Sequence, residues 1–459
     1  MSKTSSISFC GGVGNATGAN FLFEIARDSK PLRILVDCGL LQGARYAMEE
    51  NRKAFSYDPS SIDILFVTHA HADHIGRIPK LVKEGFRGSI YSTPETRAIV
   101  EIMFDDALGV MRHEAHDSGM EPMYEREQVS ETLKQWKDLP YHEPLSLEGG
   151  VSVTAKDAGH ILGSAFFEFE RNGRKFVFSG DLGNSPSLLL HDTEPLKGAQ
   201  YLLIESVYGD RNHEDKARRR DILRDAVLDV VQKKGVLVIP AFSLERSQEI
   251  LYELNNMVED KEVPQVPVFL DSPLAIKVTS VYRRMKYTFK ESVQQEIAQG
   301  DDIFNFPHLK FTTTPRESGK IDLVPNPKII IAGGGMSEGG RVIGHEQNYL
   351  PDESNTVLLV GYQAAGTLGR GLLEGEKTVT INGTQVPVRA RVMSINGYSS
   401  HKDSDHLVEF VEGSADTLER VFVAMGEPKS SLFLAQRIKD ELGVTAVYPE
   451  LGSTHEVEF

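Results

Sequence analysis

Three histidines and an aspartate crowd into six residues, His69-Ala70-His71-Ala72-Asp73-His74. The segment follows an apolar run ending at Thr68 and precedes one carrying Ile78, Leu81 and Val82, so it reads as the turn between a strand and a helix. His69 and His71, two apart on extended chain, project to the same side. The chain then turns, and Asp73 and His74 face a second direction. An imidazole pair for one ion and a carboxylate–imidazole pair for its neighbour suit Zn²⁺. A solvated polar loop is the alternative, and it leaves this density of ligand types unexplained. His160, in Ala158-Gly159-His160-Ile161-Leu162-Gly163, and Asp181, in Ser179-Gly180-Asp181-Leu182-Gly183, each follow a strand-like run. Alone, the first reads as a structural histidine and the second as a turn former. Beside the first motif, both become candidate ligands.

The elements that must position these residues are legible in outline. Short apolar runs at 33–37, 62–68, 174–179 and 201–205 suit strands buried in a sandwich. Helices are predicted over 96–108 and 125–136. From about 211 to 344 the pattern becomes helix (215–234), strand (235–240), helix (243–258), strand (266–270), which predicts a parallel α/β layer. Short strands then return, with a last helix over 432–442. The parse is one domain, 1–208 and 345–459, split by an inserted domain, 209–344.

The motif resembles the H-x-H-x-D-H signature of the metallo-β-lactamase superfamily, and the order of later segments is similar to its β-CASP nucleases. Those segments are Glu205-Ser206-Val207-Tyr208-Gly209, Pro240 to Glu249, Asp271-Ser272-Pro273-Leu274-Ala275, the glycine-rich run Gly333 to His345, and Tyr398 to Asp403. The resemblance covers nearly the whole chain. It implies an αββα metallo-β-lactamase sandwich with an inserted α/β β-CASP domain, similar to short bacterial and archaeal relatives of the pre-mRNA 3′-end endonuclease. It also implies a zinc-dependent ribonuclease, endonuclease rather than 5′-exonuclease, using a hydroxide activated by two Zn²⁺, with Mn²⁺ as the alternative metal. His69, His71 and His160 would hold one ion; Asp73, His74 and His401 the other; Asp181 would bridge. Asp37 would support the ligand shell. His345 would contact phosphate and act as general acid, with Glu205 hydrogen-bonded to it. Ser337, Arg341 and Lys402 would contact phosphate. Two departures stand out: Lys402 where the family usually has alanine, and Met425 where it usually has histidine before Gly-Glu-Pro.

Composition limits the alternatives. The 459 residues suit two or three domains, and no apolar run reaches the ~20 residues of a bilayer span. The start, Met1 to Ser6, has no apolar stretch of a leader, so the expected compartment is the cytosol. The two cysteines, Cys10 and Cys38, read as reduced, buried thiols. A net charge of −16 argues against broad nucleic-acid binding but allows a local basic cleft, with Arg211, Arg246, Arg341 and Lys402 as candidates. RNA is the expected partner, with no membrane partner; a homodimer is left open. A thioesterase or lactonase of the same fold, and an inactive RNA-processing scaffold, are the competing readings. His113-Glu114-Ala115-His116 spaces its imidazoles three apart rather than four and is read as helix surface. Gly12 to Gly18 leads into a strand and is not a dinucleotide fingerprint. Trp136 is read as packing.

Overall fold

The computed structural model describes residues 4–28, 30–43, 47–119, 121–213, 217–361, 363 and 366–459, with the side chains of 113–118, Ala217 and Asn396 outside the description. Two compact units emerge, one of residues 1–212 and 401–459, the other of 213–400.

The first unit is built on two seven-stranded sheets. One runs, in spatial order, Thr454–Val457, Ser5–Phe9, Phe21–Ile25, Leu32–Val36, Ile64–Phe66, Ser89–Ser92 and Trp136–Asp138. The other runs Ala446–Val447, Arg420–Val423, Tyr201–Ile204, Arg174–Phe178, Ala165–Arg171, Val151–Asp157 and Leu145–Leu147. Alternation along the strands sends Phe23 and Phe66 inward from one sheet and Phe167 and Phe176 from the other. Their rings meet at 4.9 Å (Phe23–Phe176) and 5.3 Å (Phe66–Phe167). Burying aromatics of this size supplies most of the driving force for joining the sheets. The outer face of the second sheet is covered by helices Ser404–Glu412 and Pro428–Leu442, through Leu407, Val411, Leu434 and Ile438. Trp136 packs as expected: it is buried, lies near Phe104, and donates from Nε1 to Ser92 Oγ at 2.8 Å. The helix predicted over 96–108 extends over Pro94–Ser118 and takes in the backbone of His113 to His116, whose side chains lie outside the described residues.

The second unit has a six-stranded sheet in the order Leu309–Phe311, Val268–Asp271, Lys328–Gly333, Val236–Ala241, Thr356–Leu359, Arg391–Ser394, all parallel. Its four central strands are almost wholly buried, as parallel strands covered on both faces require. The predicted boundary at 344 is corrected here. Residues 345–400 lie with this unit, because 356–359 and 391–394 extend its sheet rather than returning to the sandwich. Short strands carry no sign of which sheet they join, so the sequence pattern alone did not separate the two.

Candidate metal centre

The ligand-type residues of the first unit gather at strand ends. Ile64–Phe66 is followed by Thr68 and His69; His71 caps the one-turn helix Ala72–Ile75, which carries Asp73 and His74. His160 follows the strand Val151–Asp157, and Asp181 follows Arg174–Phe178. His401 pairs through backbone with Gly183. Glycine permits two of the close approaches. A Cβ on Gly39 would lie 1.5 Å from the Asp73 carbonyl oxygen, and one on Gly180, at φ +53°, would lie 2.7 Å from Thr68 Cβ.

Three groups of side chains place donor atoms close enough to hold an ion: His69, His71, His160 with Asp181; Asp73, His74 with Asp181; and Glu205, His401 with Asp181. Asp181 belongs to all three. Its Oδ2 lies 3.5 Å from His69 Nε2, 3.4 Å from His74 Nε2 and 3.6 Å from His160 Nε2. The fit to a metal rests on atoms the protein itself leaves unsatisfied. His74 Nε2 and Asp181 Oδ1 are buried without a hydrogen-bond partner, a costly arrangement that a cation would relieve.

The electrostatics agree with a site built for positive charge. Burial raises Asp181, but His74 and His69 outweigh it and hold the carboxyl well below its usual range. Burial pushes Asp73 up to about 6. Burial opposes charge on His401, yet Glu205, Asp181 and Asp73 raise it to about 9. Burial, with His74 next, drives His69 well below its ordinary value.

Behind the cluster, Asp37 holds the frame. It sits at φ +59° and accepts from Thr68 N (2.8 Å), Thr68 Oγ1 (2.8 Å) and His74 Nδ1 (2.7 Å). Holding Nδ1–H turns His74 Nε2 toward the cluster, the usual carboxylate–histidine support of a metal ligand. Asp37→Ala is expected to lower the unfolding free energy of metal-free protein by about 3–5 kcal/mol, because it breaks a buried pair on one side only. It should weaken metal binding about 10–100-fold. Denaturant unfolding and metal titration check both, and unchanged values would remove Asp37 from this role.

Several residues expected to act together take other partners within their own unit. The Glu205 carboxylate, expected against His345, accepts from Leu182 N at 2.7 Å and faces His401 Nδ1 at 3.1 and 3.2 Å. His345, on the helix Val342–Tyr349 of the second unit, pairs instead with Asp271 Oδ2 at 2.7 Å. Sequence order could not reveal this, since Asp271 ends a strand 74 residues away. Arg341 is tied to Asp271 Oδ1 at 2.6 Å and to Thr312 O. Arg246 is buried against Glu249. Lys402 is buried, its ammonium lowered by burial and facing Asp192, Glu409, Glu205 and Asp403. Ser337 is buried and donates to Glu346. Of the basic candidates, Arg211 stays about half exposed, its guanidinium 5.2 Å from the Tyr208 ring centre. Met425 is a core residue, 2% exposed, whose sulfur occupies the space a Gly12 side chain would need.

Three family descriptions match successive parts of the chain: the metallo-β-lactamase superfamily over 32–241, the Beta-Casp domain over 247–372, and the Zn-dependent metallo-hydrolase RNA specificity domain over 385–449. Ribonuclease TTHA0252 of Thermus thermophilus is 38% identical over 88% of this chain and 90% of its own length. An RNase J-like protein of Methanocaldococcus jannaschii is 29% identical over 92% and 93%. The transcription termination factor FttA of Methanosarcina mazei is 31% identical over 90% of this chain, which spans 66% of that longer protein. A crystal structure of a protein of unknown function from Enterococcus faecalis covers 99% of the chain at TM-score 0.55 and 12% identity, a likeness of fold.

Proposed function

The chain belongs to the β-CASP branch of the metallo-β-lactamase superfamily and is a metal-dependent hydrolase; from that premise we propose that it cleaves RNA, using two zinc ions per chain. The observation that carries the reading is the position of His401. It falls inside the stretch similar to an RNA specificity domain and also in the donor cluster around Asp181. Relatives named as ribonuclease and RNase J-like protein align along most of their length and support the same substrate class.

In this reading His69, His71 and His160 would hold one ion and Asp73, His74 and His401 the other, with Asp181 common to both donor sets. When bound, such a pair of ions supplies Lewis acidity, lowering the pKa of water and stabilising charge on the phosphate. Glu205 faces Nδ1 of His401 at 3.1 Å and fixes the ring beside Asp181. His345, oriented by Asp271, gives the proton to the leaving oxygen. Cleavage within the strand is proposed ahead of digestion from the 5′ end.

The test is a matched pair of single strands, ribose and deoxyribose, each labelled at the 5′ or the 3′ end, at equal zinc and salt. Internal cleavage of the ribose strand, well above that of deoxyribose, is the expected result. Equal cleavage of both overturns the RNA assignment; mononucleotide release alone overturns the endonuclease assignment. Turnover of thioesters or lactones without RNA cleavage selects the small-molecule hydrolase, and absence of all turnover with metal bound selects the scaffold.

Affinity for RNA should fall with salt, each phosphate contact adding about −0.7 to the slope of log K against log salt. Because Arg246, Arg341 and Lys402 are engaged inside the protein, the slope should be shallow, corresponding to few contacts. A filter-binding series checks it; a slope as steep as about −5 would mean a basic surface other than these residues.

A further inference from the structure

We propose that Glu346 is a positioning residue: its buried carboxyl fixes the glycine-rich loop 333–341 through the Ser337 hydroxyl. Glu346 is fully buried in the helix that follows the loop. Its Oε1 accepts from Ser337 Oγ at 2.5 Å, and its Oε2 has no hydrogen-bond partner. Ser337 is itself buried and adopts φ +56°. Glycine takes that conformation freely, whereas an L-residue is strained there. Burying a carboxyl with one oxygen unsatisfied is also unfavourable, and an apolar residue would avoid it. Two unfavourable residues are thus joined by one short hydrogen bond, and the effect is to fix the loop at its centre.

The rest of the loop shows what that bond secures. Gln363 Nε2 donates to Gly335 O at 2.9 Å, and Gly369 N donates to Met336 O at 3.0 Å. Ser337 N donates to Gly334 O at 2.8 Å, closing a turn. These bonds engage the Gly334, Gly335 and Met336 carbonyls, and Glu346 is the side-chain anchor from the helix. Burial raises Glu346 to about 7, with the Ser337 bond opposing, so near neutrality much of it is protonated and an amide is a close substitute. The expected effect on RNA assumes that the backbone of this loop, which leads directly into the helix carrying His345, meets the phosphate chain, and so rests on the ribonuclease reading; that Glu346 sets the loop does not.

The experiment uses the full chain with its metals. Glu346→Leu should speed amide exchange in 333–341 about ten-fold, the weight of one buried hydrogen bond, with exchange in 236–241 unchanged. It should also raise KM for RNA several-fold, with kcat and metal content close to wild type. Glu346→Gln should restore both. Ser337→Ala, which removes the same bond without touching the helix, should reproduce the faster exchange. Unchanged loop exchange in Glu346→Leu and Ser337→Ala overturns the proposal. Faster exchange with an unchanged KM overturns its link to substrate. A wild type that cleaves no RNA sinks the ribonuclease reading, and the exchange data still decide the role of Glu346.

Discussion

Asp181→Asn is expected to strip metal from the protein and reduce turnover to below about 1% of wild type. Outer partners of metal ligands are each worth about 10–100-fold. Asp181 should exceed that range because all three donor groups share it. The amide keeps the shape and removes the charge that faces His69, His74 and His160 at 3.4–3.6 Å. Elemental analysis after metal-replete expression, with RNA turnover on the same sample, measures both effects. A variant that kept its metal and its rate would show that the cluster is a structural ion network and not the centre of the reaction.

His345→Ala should lower turnover about 10²–10⁴-fold, the usual weight of a general acid, while the metal content stays at the wild-type level. His345 is in the second unit, with its imidazole against Asp271, and belongs to none of the donor groups. Glu205→Gln should behave in the opposite way. It faces His401 Nδ1, so its loss should weaken metal binding about 10–100-fold, and excess zinc should recover much of the rate. The two variants together separate a proton donor from a ligand support. Zinc loss in His345→Ala would make it a ligand. A Glu205→Gln defect that excess zinc leaves untouched would return Glu205 to proton transfer.

Much of the donor cluster was legible in the sequence because its members are tied to local pattern. His69, His71, Asp73 and His74 sit within one turn, and His160 and Asp181 each follow a strand with a glycine beside them. A strand end followed by a glycine turn is a local property, and polar side chains there face a common edge once the strands pair. Asp37 came only through the family resemblance, since an aspartate before a glycine reads locally as a turn former. The inserted parallel layer was legible from the change of period after residue 211. Its C-terminal limit was not, since strands 356–359 and 391–394 look alike whichever sheet receives them.

What the sequence determined by itself was therefore the chemistry: which residue types are present, at which strand ends, and in what order. What only the tertiary structure decided was the pairing of charges. Asp271 against His345, Glu205 against His401 and Glu346 against Ser337 are contacts set by side-chain reach after packing. The physical reason is desolvation. Once the sandwich and the parallel sheet exclude water, each buried charge must find a partner within hydrogen-bond reach. That need turned Arg341, Arg246, Lys402 and Ser337 inward, where residue type alone had suggested contacts to phosphate.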